Sequence, residues 1–191
     1  MKNKKKVKPE KSEDFSVPKN LKKFLRFSDI LEELENSHEF GKFKKEHSKS
    51  YLSAGFFVFD FETNKILRQI DFSTKDKIFT FLLDENCRYK EENKQDKEAG
   101  ELKVPSELKV DLWNLKDYVD EQIEIKQLNK KIVKIIAVLQ VHDDVLKWNL
   151  SCILNDFKML KLHIDAMKGT VLYSDVSNMF DFMKMMQKEK E

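Results

Sequence analysis

Cys152 and His163 are the two side chains of this sequence best suited to nucleophilic chemistry, a thiol and an imidazole that would act as its base. A working pair needs the two groups within hydrogen-bond reach of each other, and the local pattern argues against it. Lys147-Trp148-Asn149-Leu150-Ser151-Cys152-Ile153-Leu154 alternates apolar and polar residues, the mark of a strand with one buried face. Cys152 shares parity with Trp148, Leu150 and Leu154, which places its thiol in the core. His163 shares parity with Lys161 and Asp165 on the polar side of the next strand, so the two side chains diverge. A buried thiol of this kind is structural and inert. Cys87 falls among charged residues and is expected to be exposed and reactive.

The other candidate groups are equally dispersed. His38, His47, His142 and His163 form no HxxxH or HExxH spacing, and two cysteines give neither a disulfide framework nor a zinc pattern. Phosphate-cradling loops need clustered glycines, and the four glycines here are scattered. Asp60, Asp71 and Asp165 would need to converge for acid–base work, yet they fall at strand ends or on polar faces. Asp165 opens the turn Ala166-Met167-Lys168-Gly169, where its carboxylate is expected to bond backbone amides and Gly169 to take a positive φ. Asp165 and Gly169 are therefore structural turn residues. No catalytic residue, cofactor site or metal site is expected, and the chain reads as a non-enzyme.

The elements that position these groups follow from periodicity. Leu21, Phe24, Leu25, Ser28, Leu31 and Leu34 recur at helical spacing. Ser37 to Ser48 reads as a second helix capped by Asn36, with Phe40 and Phe43 on its inner side. Strands follow at Tyr51 to Phe61, Ile66 to Ser73 and Ile78 to Leu83, with links short enough to make antiparallel neighbours. Gly55, inside the first, marks a bulge or a close backbone approach. Residues 84–101 hold seven acids against four basic residues with no apolar period, so 84–110 reads as a solvated loop. Asp111 caps a helix carrying Leu112, Leu115, Val119 and Ile123. Strands at Ile132 to Val141, Leu146 to Leu154, Met159 to Asp165 and Thr170 to Ser174 then form a second meander. Beyond it, Met179, Phe182, Met183 and Met186 lie at i, i+3, i+4 and i+7, giving a helix over 177–191 with a soft apolar face and a candidate interaction surface.

Composition bounds the class. The 191 residues include 15 Phe, two Trp and four Tyr, enough for a sizeable core, and 36 basic residues nearly balance 34 acidic ones. A net charge of +2 does not make a whole-molecule field for nucleic acid. Charge bias is confined to residues 1–23, with nine Lys and three acids. No apolar core of signal-peptide type follows this start, so the stretch reads as a disordered basic tail over 1–20 and the compartment as the cytoplasm. Phe56, Phe57, Phe59 and Phe61 have no Lys or Arg among them and read as core rather than as a nucleic-acid stacking platform.

The expected fold is α+β, with antiparallel meander sheets in two β-rich halves, 21–83 and 111–176, and helices packed on one face. Trp148, Ile164, Asp165, Ala166, Gly169, Val171 and Leu172 carry a resemblance to the PepSY domain over residues 111–174, in a PepSY- or cystatin-like architecture. That resemblance implies a small non-enzymatic module; members of the family are associated with restraint of peptidases and lie mostly outside the cytoplasm. The function expected is a non-catalytic binding or scaffold module whose partner is another protein or a second copy of the chain. The alternative is a nucleic-acid or anionic-membrane accessory protein acting through the Lys-rich arm, and a hydrolase is the third reading. No small-molecule ligand is called for.

Overall fold

A computed structural model describes residues 26–178 except 95–99, 106 and 129. The basic tail and most of the C-terminal segment expected to be helical, including Met179, Phe182, Met183 and Met186, lie outside the described residues.

Eight antiparallel strands form one sheet in the order β4-β3-β2-β1-β5-β6-β7-β8. The first half supplies α1 (Phe27–Glu35), α2 (His38–Glu46), β1 (Tyr51–Asp60), β2 (Lys65–Ser73), β3 (Lys77–Leu82) and β4 (Arg88–Asn93). The second supplies α3 (Leu115–Ile125), entered through a 3-10 turn at Leu112–Asn114, then β5 (Ile132–His142), β6 (Val145–Leu154), β7 (Lys158–Asp165) and β8 (Val171–Asn178). Each half thus runs helix first, then a four-stranded meander. The two meanders meet through the antiparallel pair β1–β5, from Ala54↔Gln140 to Asp60↔Lys134, and so merge into one continuous sheet.

One face of this sheet carries the core. Ile70, Gly55, Leu139, Trp148 and Ile164 form one cross-strand row, and Phe59, Ile135, Cys152 and Leu160 another. The helices pack on that face: Phe27 of α1 meets Phe57 edge-on, and Phe43 of α2 meets Phe72, Phe79 and Phe81. Leu112, Leu115 and Val119 complete the same cluster above the second half. Gly55 serves a close approach, since a Cβ there would fall 2.4 Å from the Phe27 ring. The irregularity in pairing lies at Ser53, between Leu52 and Ala54, two residues before it.

Several expectations require correction. The region 84–110 is not simply a loop: it contains β4, whose sequence Arg-Tyr-Lys-Glu-Glu-Asn lacks apolar alternation because it is an edge strand with only Tyr89 packed inward. Cys87 is buried rather than exposed; it follows Asn86 in the left-handed region at the corner before β4, and it belongs to the buried core cluster. In α1 the buried residues are Phe27, Ile30 and Leu34, with Ser28 exposed, because the helix begins at Phe27 and rotates its larger apolar groups inward. Ser37, not Asn36, caps α2: its hydroxyl accepts from the Phe40 N–H at 3.2 Å, while Asn36 closes α1. Ser177 and Asn178 are strand residues of β8, since pairing with Met159 and Lys158 continues to the end of β7.

Candidate interaction face

The sequence-predicted site residues resolve into turns and core. Asp165 Oδ1 accepts from the N–H groups of Met167 and Lys168, both at 2.9 Å, and the Gly169 N–H donates to the Asp165 carbonyl at 2.8 Å. Gly169 has φ +71°, and a Cβ on it would sit 2.8 Å from the Tyr118 hydroxyl. Asp165 and Gly169 hold the turn between β7 and β8. Trp148 is fully buried, with its indole N–H donating to the Val110 carbonyl at 2.8 Å.

Cys152 lies on the core face and His163 on the opposite one, so sheet geometry separates thiol from imidazole. Burial pushes the Cys152 thiol far above its usual range, which leaves it protonated and unreactive. The three aspartates are likewise dispersed. Asp71 and Asp165 occupy the ends of the row Asp71-Ala54-Gln140-Lys147-Asp165, four strand spacings or about 19 Å apart. Asp60 belongs to the far end of β1, where it holds the β1–β2 turn through the Glu62 and Thr63 N–H groups and pairs with Lys134 at 3.1 Å. The Thr63 backbone bond and Lys134 hold its carboxyl down at about 2. Among the described residues no group of His, Cys, Asp and Glu is placed to hold a metal ion, and no helix is long and apolar enough to cross a membrane.

What the elements do bring together is the face opposite the helices. Cross-strand pairing sets Leu67, Val58 and Ile136 in one row and Phe56 and Val138 in the next. These side chains form an apolar ridge over β2, β1 and β5, with Leu67 43% exposed and the others half-buried. Towards β8 the same rows turn polar: Ser151, Lys161 and Asp175 continue the first, Asn149, His163 and Tyr173 the second. The His163 and Tyr173 rings lie 5.0 Å apart. Partial burial, together with Lys147, His142 and Lys161, lowers the His163 pKa. Burial raises that of Asp71 on the other side of the ridge against the hydrogen bonds from Thr80 and Gln69. The face is therefore apolar at its centre and polar, with a basic bias around His163, on the β7 side.

Sequence reasoning missed this ridge by assigning Phe56 to the core with Phe57. The available signal was parity: Phe56 and Val58 alternate with Phe57 and Phe59, so the first pair must face the other way. The two sheet edges also differ. β4 carries Arg88, Lys90, Glu91 and Glu92, and Lys77 of β3 pairs with Glu91; β8, Val-Leu-Tyr-Ser-Asp-Val-Ser-Asn, has one charge.

No protein-family model and no curated protein matches this sequence. Among solved structures, a protein of Clostridium difficile 630 provisionally described as a lipoprotein is similar at a TM-score of 0.49 and 13% identity, over 80% of this chain and 93% of that one.

Proposed function

We propose that the protein is a non-catalytic binding module of PepSY-like type that engages a protein partner through the face of its sheet opposite the helices. One observation carries this reading. Leu67, Val58, Ile136, Phe56 and Val138 form a contiguous apolar ridge outside the core, on strands held rigidly by pairing on both sides. Apolar groups gathered in one patch and rimmed by polar side chains are the usual form of a protein-recognition surface. Its polar rim of Gln69, Gln140 and Asn149 offers hydrogen-bonding groups that fix orientation. The repeated helix–meander order of the two halves supports the PepSY-like assignment. The reading keeps the protein in the cytoplasm, consistent with Cys87 and Cys152 as separate buried thiols.

The test compares wild type with Val58→Lys and Leu67→Lys in co-purification from the native cell. Both positions are outside the core, so the fold should survive and a specific partner should be lost. Retention of that partner by both variants would remove the ridge from the interaction. Salt-sensitive binding to generic DNA or anionic vesicles, lost on deleting residues 1–23, would instead favour the accessory role of the basic arm.

A further inference from the structure

The sheet has two outer edges, each the last strand of one meander, and they are built differently. β4 places Arg88, Lys90, Glu91 and Glu92 in one short strand, and charges at that density keep other strands from adding to it. β8 carries Asp175 alone, and no described strand pairs with its outer side. Hydrogen-bond parity shows which groups that side presents. The Asp165 N–H donates across the turn to the Thr170 carbonyl, and the Ala166 N–H donates to Leu146 of β6, so the odd-numbered residues of β7 turn their backbone groups towards β8. Their partners Tyr173, Asp175 and Ser177 bond back to β7, and Ser174, Val176 and Asn178 turn their N–H and C=O groups outward. Lys126, just after α3, agrees with this assignment, since its ammonium donates to the outward Ser174 carbonyl at 3.2 Å. A carbonyl oxygen has two lone pairs, so one remains for an incoming N–H.

We propose that a second copy of the chain adds to this edge, β8 against β8, antiparallel about a two-fold axis at Val176. The register follows from matching outward groups with outward groups. An axis at Asp175 would set two carboxylates directly opposite each other. An axis at Ser174 would need Leu172 to bond outward, and Leu172 is the extra residue where the β7–β8 register shifts. An axis at Val176 avoids both: Val176 bonds its own copy, and Ser174 and Asn178 bond each other on either side. It also sets Asp175 opposite Ser177. The hydroxyls of Ser174 and Ser177 are buried and make no hydrogen bond among the described residues. A χ1 rotation turns each towards the edge, where Asn178 and Asp175 of the second copy stand opposite. Val176 ends the core row Ile135-Cys152-Leu160 and is half-buried, so contact with its own copy continues that apolar row into the second molecule. Because β8 supplies both members of every pair, its edge is self-complementary, the property of a two-fold interface. This contact is separate from the ridge and does not rest on the function proposed above.

Sedimentation of the full chain over a range of concentrations tests the contact without any partner. Wild type should pass from monomer to dimer as the concentration rises. Val176→Pro removes an outward N–H and leaves the bonds to β7 in place, and it should weaken the dimer several-fold. Ser177→Asp sets carboxylate against carboxylate on both sides of the axis and should also weaken it. Ser177→Lys sets an ammonium against Asp175 and should tighten it at low salt. These opposite shifts keep the test decisive if Val176→Pro does not fold. Val58→Lys, on the ridge, should leave the dimer unchanged. A monomer at every concentration would overturn the proposal. So would a dimer indifferent to both Ser177 substitutions, or one dissociated by Val58→Lys, since the ridge would then be the contact. Partner co-purification with Val58→Lys reads the ridge separately, so either reading can fail while the other stands.

Discussion

Single side chains in this protein do their work by satisfying backbone groups. Trp148 fills the sheet centre between Leu139 and Ile164 and also satisfies the carbonyl of Val110, which leads into α3. Trp148→Ala removes the ring and leaves that carbonyl buried, and should cost about 3–5 kcal/mol in denaturant unfolding. Because Trp113 is 57% exposed, fluorescence should be read in a Trp113→Phe background, where Trp148 emission is expected to be blue-shifted until the fold opens. Asp111 acts in the same way over a longer range. Its carboxylate accepts from the N–H groups of Leu112 and Phe27, so one residue starts the second-half helix and α1 together.

The charge on Asp60 gives a pH prediction. The folded carboxyl is held at about 2, below the unfolded value, so its contribution is present above the ordinary aspartate range and is lost as pH falls towards 2. A carboxyl titration by NMR should place its midpoint near that value and show it rising in Lys134→Gln. A midpoint at the ordinary aspartate pKa would mean that the turn bonds to Glu62 and Thr63 do not persist in solution.

At the scale of elements, turns and close approaches set what the sequence permits. Gly169 combines a left-handed backbone with a site where a Cβ meets the Tyr118 hydroxyl and the Lys109 side chain. Gly169→Val should therefore destabilise by about 1–2 kcal/mol or more, measured as a lowered denaturant midpoint. An unchanged midpoint would show that the β7–β8 turn can relax without cost. Asp143 and Asp144, both at positive φ, make the tight turn between β5 and β6, and strands of strong alternation such as β6 are legible beside such turns. β4 was not legible, because its inward face is Tyr89 alone and its charges are those of an edge. The phase of α1 is hidden in the sequence because Ser28, three residues before Leu31, fits an apolar stripe, whereas the Phe27 N–H bound by the Asp111 carboxylate sets Phe27, Ile30 and Leu34 inward.

Across the whole molecule, the decisive event is the pairing of β1 with β5, which turns two meanders into one sheet. Nothing local encodes that pairing; it joins segments separated by the whole of β2 to α3. The expected α+β class, with antiparallel strands and helices on one face, describes the molecule, but the join and its consequence were hidden. By fusing the halves, the sheet aligns Leu67, Val58 and Ile136 into a ridge that neither half carries alone. Turn residues such as Asp165 could be read from sequence because their partners lie within four residues. The ridge could not, because its neighbours come from strands on both sides of the join.

The central claim is that this ridge meets a protein partner, and site-specific photo-crosslinking from position 67 in the native cell tests it directly. A photoreactive residue replacing Leu67 should give a discrete crosslinked product with another protein, lost when Val58→Lys is added, while the same group replacing Glu121 on the exposed side of α3 should not. Crosslinks from position 121 but none from position 67 would contradict the account.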